Sequence, residues 1–355
     1  MNLVTMGLTE TVKNDFHTLN TNDEMILGRV ALEHKRMYRV WTEQGELLCE
    51  VSGRFSFNAL NREDFPAVGD WVALKPRSDE GKGTILAIMP RKSKFSRKSA
   101  GNTAEEQIVA TNVDTVFLVN SLNEDLNLRR IERYLLLAWE SGANPVIVLS
   151  KTDLCEDLDR KLAEVKAISL GGVPVIAVSA ETMSGFDKLE PYLQPGKTIA
   201  LLGSSGVGKS TLTNRLLGED KQVVQDIRLA DDKGRHTTTH RELILLPNGS
   251  VLIDTPGMRE LQLWESSDGL TETFSEIEEL ATQCRYRDCQ HKNEPGCAVV
   301  LAIEEGVLAA DRLTSYNKLQ KELAFIERKA DKRAQAEVKK QWKSINKQIK
   351  QRKSY

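Results

Sequence analysis

The stretch Gly-Ser-Ser-Gly-Val-Gly-Lys-Ser at 203–210 limits what this chain can fold into more than any other. It fits the pattern G-x-x-x-x-G-K-[ST] at Gly203, Gly208, Lys209 and Ser210. It follows the apolar run KTIALLG (197–203) and opens the helix-like STLTNRLLG. Strand, loop and helix in that order are the context in which such a loop binds phosphate. Backbone N–H groups of the loop and of the helix start surround the anion. Lys209 then neutralises the β- and γ-phosphates, and the Ser210 hydroxyl ligates Mg²⁺.

Two further elements lie downstream. SVLIDTPG (250–257) puts Asp254 at a strand end, where it can hold the Mg²⁺ shell, and Gly257 where its N–H can meet a γ-phosphate. Asp-x-x-Gly alone is a common turn; its weight comes from lying some 45 residues after Lys209. Between the two, GRHTTTHREL (234–243) offers Thr237, Thr238 and Thr239, one of which completes Mg²⁺ coordination if the segment is a nucleotide-ordered switch. Which threonine does so stays open; Thr238 is the working choice. A β-prone loop is the plain alternative.

The run VIVLSKTDL (146–154) ends in Ser150-Lys151-Thr152-Asp153, close to the Asn-Lys-x-Asp tetrad that reads guanine. Asp153 would accept from guanine N1–H and the exocyclic amine, a donor pair adenine lacks. Lys151 would pack its stem over the base. VSA (178–180), at the next strand end, would present a backbone N–H near Ser179 and Ala180 to guanine O6. Both lie before the phosphate loop, whereas an ordinary GTPase has them after it. A circular permutation explains the order, because domain termini often lie close enough to be joined, with 181–196 as the join. The chain leaving DTPG would then run directly into the C-terminal domain and pass the switch state to it.

Strand-like runs alternate with amphipathic ones from about 108 to 263, which predicts a mainly parallel sheet covered on both faces. Upstream, MILGRVAL, MYRVWTE, ELLCEVSGRF, DWVALKP and GTILAIMP are five short β-runs within 25–90 and suit a small barrel of the OB type. An SH3-like barrel would give much the same pattern. Residues 1–24 are polar and weakly patterned and read as one short helix and a loose lead-in. RKSKFSRKSAGNTAEEQ (91–107) reads as a basic linker, either merely polar or touching phosphates while Phe95 stacks a base. After about 264 the pattern is helical to 327. The extension 328–355 carries eleven Lys or Arg against Asp331 and Glu337, so the net charge of −2 hides an acidic body with a basic tail. Such a tail suits a polyanionic partner or a solvated helix face.

Three of the five cysteines crowd into CRYRDCQHKNEPGC. Cys284, Cys289, His291 and Cys297 are spaced C-x4-C-x-H-x5-C, a closed tetrahedral set that predicts structural Zn²⁺. Cys49 and Cys155 read as ordinary small apolar residues. Arg285, Tyr286 and Arg287 could meet RNA or form an exposed structural face. The chain has 40% hydrophobic and 28% charged residues, no apolar run of membrane-spanning length and no signal-peptide pattern at the start, which predicts a soluble cytoplasmic protein.

Rotated SKTD…VSA…GSSGVGKS…GRHTTT…DTPG, with a β-barrel before and C-x4-C-x-H-x5-C after, resembles the circularly permuted GTPase family RsgA, also called YjeQ or EngC. The resemblance covers roughly 25–320. It implies an N-terminal OB domain that binds RNA, a permuted GTPase domain and a C-terminal zinc domain. It implies GTP hydrolysis to GDP stimulated by the small ribosomal subunit, late maturation of that subunit through its rRNA, and a monomer. By match, Ser150 to Asp153, Ser179, Ala180, and Gly203, Ser204, Ser205, Gly206, Val207, Gly208, Lys209, Ser210 and Thr211 become the GTP contacts. The family has an apolar residue after Asp-x-x-Gly, here Met258, which cannot orient water; intrinsic hydrolysis should be slow, with His236 a candidate substitute. Ser150 departs from the usual Asn, and GTP affinity could fall while Asp153 keeps guanine preference. Rival readings are an ATPase, a permuted GTPase acting on the large subunit, and an RNA-binding assembly factor that binds GTP with negligible hydrolysis.

Overall fold

The computed structural model describes residues 2–19, 24–77, 80–98, 106–123, 126–169, 172–218, 241–254, 268–292 and 294–325. The chain forms two compact units, Met1–Gln262 and Leu263–Tyr355.

In the first unit, strands β1 (Ile26–His34), β2 (Met37–Thr42), β3 (Gly45–Val51), β4 (Trp71–Arg77) and β5 (Lys82–Ile88) close on themselves. β1 pairs with β2, β2 with β3, β3 in parallel with β5, β5 with β4, and β4 returns to β1. That closed order, with helix α2 (Gly53–Asn58) between β3 and β4, is the OB type. Alternate side chains point inward, so Val30, Tyr38, Val40, Cys49, Val72, Leu74 and Ile85 fill the barrel. The buried Cys49 thiol is pushed up to about 12 by desolvation, as befits an inert apolar filler.

Two readings of the flanking segments need correction. The lead-in is not loose. Leu3, Met6 and Val12, the last on α1 (Glu10–Leu19), pack with Leu27, Trp71 and Met89 over one end of the barrel. The segment read as a linker is partly a hairpin of β6 (Lys94–Lys98) and β7 (Glu106–Thr111). Phe95 is only 2% exposed, so it cannot stack a base. Its charged neighbours hid a residue that Ile108, Val109 and Ala110, all buried, help to cover.

The nucleotide half follows, with strands β8 (Thr115–Ser121), β9 (Asn144–Ser150), β10 (Val175–Ala177), β11 (Thr198–Leu202), β12 (Arg241–Leu245) and β13 (Val251–Asp254). Helices α3 (Leu128–Ser141), α4 (Leu158–Ile168) and α5 (Lys209–Leu217) connect them. The strand order is β10-β9-β8-β11-β13-β12, parallel except for β12. All seven residues of β8 are buried, as expected of a central parallel strand. Helix α3 starts at the Asn127 side chain, which accepts from the Arg130 N–H, and ends at Gly142 in the left-handed region.

The barrel and this sheet are continuous. Beyond a register shift between Val30 and Leu32, the end of β1 pairs with β12, Leu32 opposite Glu242 and Glu33 opposite Arg241. Such a shift lets a strand bend and change partners. Arg39 on β2 reaches across to pair with Glu242. Arg29, 1% exposed, binds the carbonyls of Met6 and Gly69 and, at 2.9 Å, the Thr198 hydroxyl at the start of β11. Burial lowers its pKa to about 10, leaving it charged at neutral pH. One cation thus ties the lead-in and the barrel to the strand that carries the phosphate loop.

The second unit holds α6 (Asp268–Thr273), α7 (Ser275–Ala281), α8 (Ala298–Glu304) and a helix, α9, described over 310–325. Arg312, 4% exposed, joins them: its Nε lies 2.7 Å from Glu276, it bonds the Thr273 carbonyl at 2.8 Å, and it sits 4.4 Å over the Phe274 ring.

Candidate functional site: a phosphate loop tied to a base-reading turn

β11 and α5 flank the phosphate loop as the motif predicts. Gly203 is required by packing, since a Cβ there would stand 2.3 Å from the Val119 carbonyl of β8. Gly206 and Gly208 have φ of +83° and +92°, where a side chain would be strained. Ser205, Gly206, Ser210 and Thr211 are exposed, whereas Val207 packs inward. The Lys209 ammonium donates to the carbonyls of Gly203 at 2.7 Å and Ser204 at 2.6 Å. Its charge is thus held inside the curl of the loop, and an arriving polyphosphate would exchange carbonyl oxygens for phosphate oxygens. The Ser204 hydroxyl is a buried polar atom without a partner among the described residues.

The Ser150–Asp153 tetrad lies at the end of β9, against that loop. The Ser150 hydroxyl donates to the Val207 carbonyl at 2.6 Å, with the Asn120 carbonyl a more distant acceptor at 3.3 Å. Lys151 has φ of +61°, an uncommon value for a long side chain. Strand alternation would send consecutive side chains to opposite faces; the left-handed residue breaks it, and Lys151 Nζ reaches the Gly206 carbonyl at 2.8 Å. Both residues therefore hold the phosphate loop. Thr152 N–H bonds the Val178 carbonyl at 3.3 Å, joining this turn to the next strand end. There, the Ser179 hydroxyl donates to Asp153 Oδ1 at 2.5 Å and accepts from the N–H groups of Glu181 and Thr182, each at 3.2 Å. This fixes an exposed carboxylate beside the Ser179–Ala180 turn. The donor and acceptor set suits a guanine nucleotide: a carboxylate for N1–H and the amine, and a lysine-bearing loop for phosphates.

Two contributors carry no sequence signal. Asn120 supplies a carbonyl to Ser150, and Arg215 on α5 donates from Nε to the Ala180 carbonyl at 2.8 Å. Each acts across strands or helices far apart in sequence, where no motif marks it. Asp254 ends β13, next to β11, but its side chain lies outside the described residues. His236, Thr237, Thr238, Thr239, Gly257 and Met258 lie outside them altogether, as does the tail from 326 onward.

The second cluster is in the other unit. The ligand atoms of Cys284, Cys289, His291 and Cys297 all lie within 4.8 Å of one another. Cys284 and Cys297 sulfurs are 3.8 Å apart, and His291 Nδ1 is 3.7 Å and 3.4 Å from them. A tetrahedral ion with Zn–S bonds of about 2.3 Å would set two sulfurs about 3.8 Å apart. Cys297 also caps α8, its sulfur facing the Val300 N–H at 3.5 Å. Tyr286 is 44% exposed with the Arg285 guanidinium 5.6 Å from its ring centre.

Comparison with known proteins agrees with this geometry. The RsgA GTPase family model matches residues 88–264. A curated relative from Lactiplantibacillus plantarum, named small ribosomal subunit biogenesis GTPase RsgA 2, is 49% identical over 99% of this chain and 98% of its own. The chain belongs to the RsgA GTPase family. Another RsgA relative, from Methanosarcina acetivorans, is 47% identical over 86% of this chain and 82% of its own. The crystal structure of YjeQ from Thermotoga maritima superposes with a TM-score of 0.64 at 31% identity, covering 84% of this chain and 99% of that one. YloQ, described as a circularly permuted GTPase, gives 0.62 at 27% identity, over 86% and 97%. A model described as 50S ribosome-binding GTPase matches residues 198–336, which hold the phosphate loop but not the Ser150–Asp153 tetrad. As an RsgA GTPase, the chain hydrolyses GTP, and its permuted motif order is that of its family.

Proposed function

We propose that this RsgA GTPase acts in the late maturation of the small ribosomal subunit, which stimulates its hydrolysis of GTP to GDP and phosphate. The observation that carries the reading is the double tether of Ser150 and Lys151 to the phosphate loop, with Asp153 held by Ser179 beside it. It is supported by relatives, named for small-subunit biogenesis, that span nearly the whole chain. In this reading Ser150 to Asp153, Ser179 and Ala180 hold the base, and Gly203 to Thr211 the phosphates. Mg²⁺ is held by Ser210 and Thr238 with Asp254 in its shell, and Gly257 and His236 serve hydrolysis. The barrel of 25–90 and the tail from 328 contact rRNA. One structural Zn²⁺ sits on Cys284, Cys289, His291 and Cys297. The protein works as a cytoplasmic monomer; no described helix is long and apolar enough to cross a membrane.

The deciding experiment measures GTP and ATP hydrolysis with and without purified small and large subunits. GTP-specific stimulation by small subunits is expected; stimulation by large subunits alone would move the assignment to the reading that the second family model suggests. A second reading, a GTP-binding rRNA factor with negligible hydrolysis, is favoured by Met258 in the water-orienting position. Absence of stimulated turnover with intact GTP binding would select it. Asp153→Asn should weaken GTP and favour a xanthosine nucleotide; unchanged GTP binding would mean that Asp153 does not read the base.

A further inference from the structure

The turn after β10 leaves a single backbone donor open. The Ser179 N–H bonds the Ser184 carbonyl at 3.0 Å, and the N–H groups of Glu181 and Thr182 both bond the Ser179 hydroxyl. Of the consecutive amides 179–182, only that of Ala180 has no acceptor among the described residues. A base that reached this stretch would therefore meet the Ala180 N–H.

One N–H discriminates between bases only if its direction is fixed, because hydrogen bonds weaken steeply when bent. The peptide unit that follows Ala180 is held at both ends. Its N–H, that of Glu181, is held by the Ser179 hydroxyl at 3.2 Å, and its carbonyl, that of Ala180, by Arg215 Nε at 2.8 Å. A peptide gripped this way cannot rotate freely, which restrains the Ala180 dihedrals that aim its own N–H. The guanidinium is half-buried and its bond is charge-assisted, the stronger kind. Arg215 also stands on a rigid support. It lies in the last turn of α5, just before the helix ends at Gly218 in the left-handed region. Leu212 of that helix shares a buried core with Val178, and Leu216 and Leu217 pack against it. Lys209 opens the same helix, about 9 Å away along the axis. One helix thus carries the phosphate-loop cation at its start and the anchor of the Ala180 turn near its end.

We propose that Arg215 is a positioning residue for guanine recognition: by holding the Ala180 carbonyl, it aims the Ala180 N–H at the substituent on carbon 6 of the base. The guanine oxygen there accepts a hydrogen bond, whereas the adenine amine would set donor against donor. The work of reading the base is then divided. Asp153, held by Ser179, reads the N1–H and the 2-amine, and Ala180, held by Arg215, reads position 6. This inference rests on the proposed placement of the base beside Ser179 and Ala180.

The test measures the affinity of the full-length protein for GDP, inosine diphosphate and 6-thioguanosine diphosphate by titration calorimetry near neutral pH. Inosine lacks the amine that Asp153 would bind. The thio analogue keeps that amine and the N1–H, but carries sulfur, a poorer acceptor, in place of the oxygen. Wild type should bind the thio analogue about threefold or more weaker than GDP. Arg215→Met keeps a packed stem and removes the donor. It should weaken GDP about three- to tenfold, bring the thio analogue within about twofold of GDP, and leave the ratio of GDP to inosine diphosphate unchanged. Arg215→Lys returns a cationic donor and should recover most of the GDP affinity and of the penalty for sulfur. General damage to the pocket would weaken all three nucleotides alike, so equal losses in Arg215→Met would overturn the proposal. Unchanged GDP affinity in that variant, or a lysine variant no better than the methionine one, would overturn it too. Wild type that binds all three nucleotides and ADP equally would instead overturn base reading at this turn altogether. Wild type that discriminates, with an Arg215→Met variant that discriminates equally, overturns the role of Arg215 alone.

Discussion

The Cys/His cluster and the phosphate loop hold their principal groups in different ways. In the Cys/His cluster, the sulfurs and the imidazole nitrogen already lie at the separations a tetrahedral ion would impose. In the phosphate loop, the principal cation is turned inward, Lys209 bonded to the carbonyls of Gly203 and Ser204. A structural metal is kept for the life of the fold, so preorganisation costs nothing in turnover. A nucleotide must enter and leave each cycle, and the carbonyls bonded to Lys209 are acceptors that phosphate oxygens can replace. The rigid part of the nucleotide site is the neighbouring turn, where Ser150 and Lys151 hold the loop and Ser179 holds Asp153.

That contrast can be broken at three points. The largest effect is expected at Cys297→Ser. Serine preserves the cap on α8, so the variant removes a metal ligand and little else. Bound zinc, measured by elemental analysis, should fall from one per chain to nearly none, and the helical signal of the second unit should fall with it, because structural zinc supplies on the order of 10 kcal/mol. Retained zinc would mean the cluster is not the closed site its spacing indicates. Lys209→Ala comes next. Phosphate-release assays should show a loss of about a hundredfold or more in subunit-stimulated turnover, with the fold intact by thermal melting; a loss within twofold would show that the inward-turned lysine never swings to the phosphates. Smallest is Ser150→Ala. It leaves the Val207 carbonyl unpaired and should cost about 1–2 kcal/mol, a five- to thirtyfold weaker affinity for fluorescent GDP with the preference over ADP unchanged. A change in that preference instead would make Ser150 a base-reading group rather than a tether.

Legibility in the sequence followed the range of the interactions. The phosphate loop was readable because eight contiguous residues make it, and the cysteine cluster because its four ligands fall within fourteen. The barrel was readable as five short strands, yet its type was not, since OB and SH3-like barrels differ in which strands pair rather than in what each strand looks like. Phe95 was misjudged for a related reason. Its basic neighbours suggested a solvated linker, but burial is decided by what packs on the residue, here a hairpin closed by β7. The lead-in failed likewise: Leu3, Met6 and Val12 are too sparse to show a period, and only the apolar end of the barrel reveals their use.

The serine in SKTD marks the boundary between the two kinds of knowledge. The sequence alone determined that a phosphate-loop motif, an SKTD tetrad and a Cys/His cluster are present and that the first two are in rotated order, because each is local chemistry written in adjacent residues. Only the tertiary structure decided what the Ser150 hydroxyl bonds to. An asparagine amide has two N–H donors; the serine hydroxyl has one, and spends it on Val207, 57 residues away. The same holds for the pairing of β1 with β12 and for Arg29 reaching Thr198. Such contacts depend on strand register and on which faces meet, and pairings between distant segments are set by the packing of the whole sheet rather than by any one stretch within it.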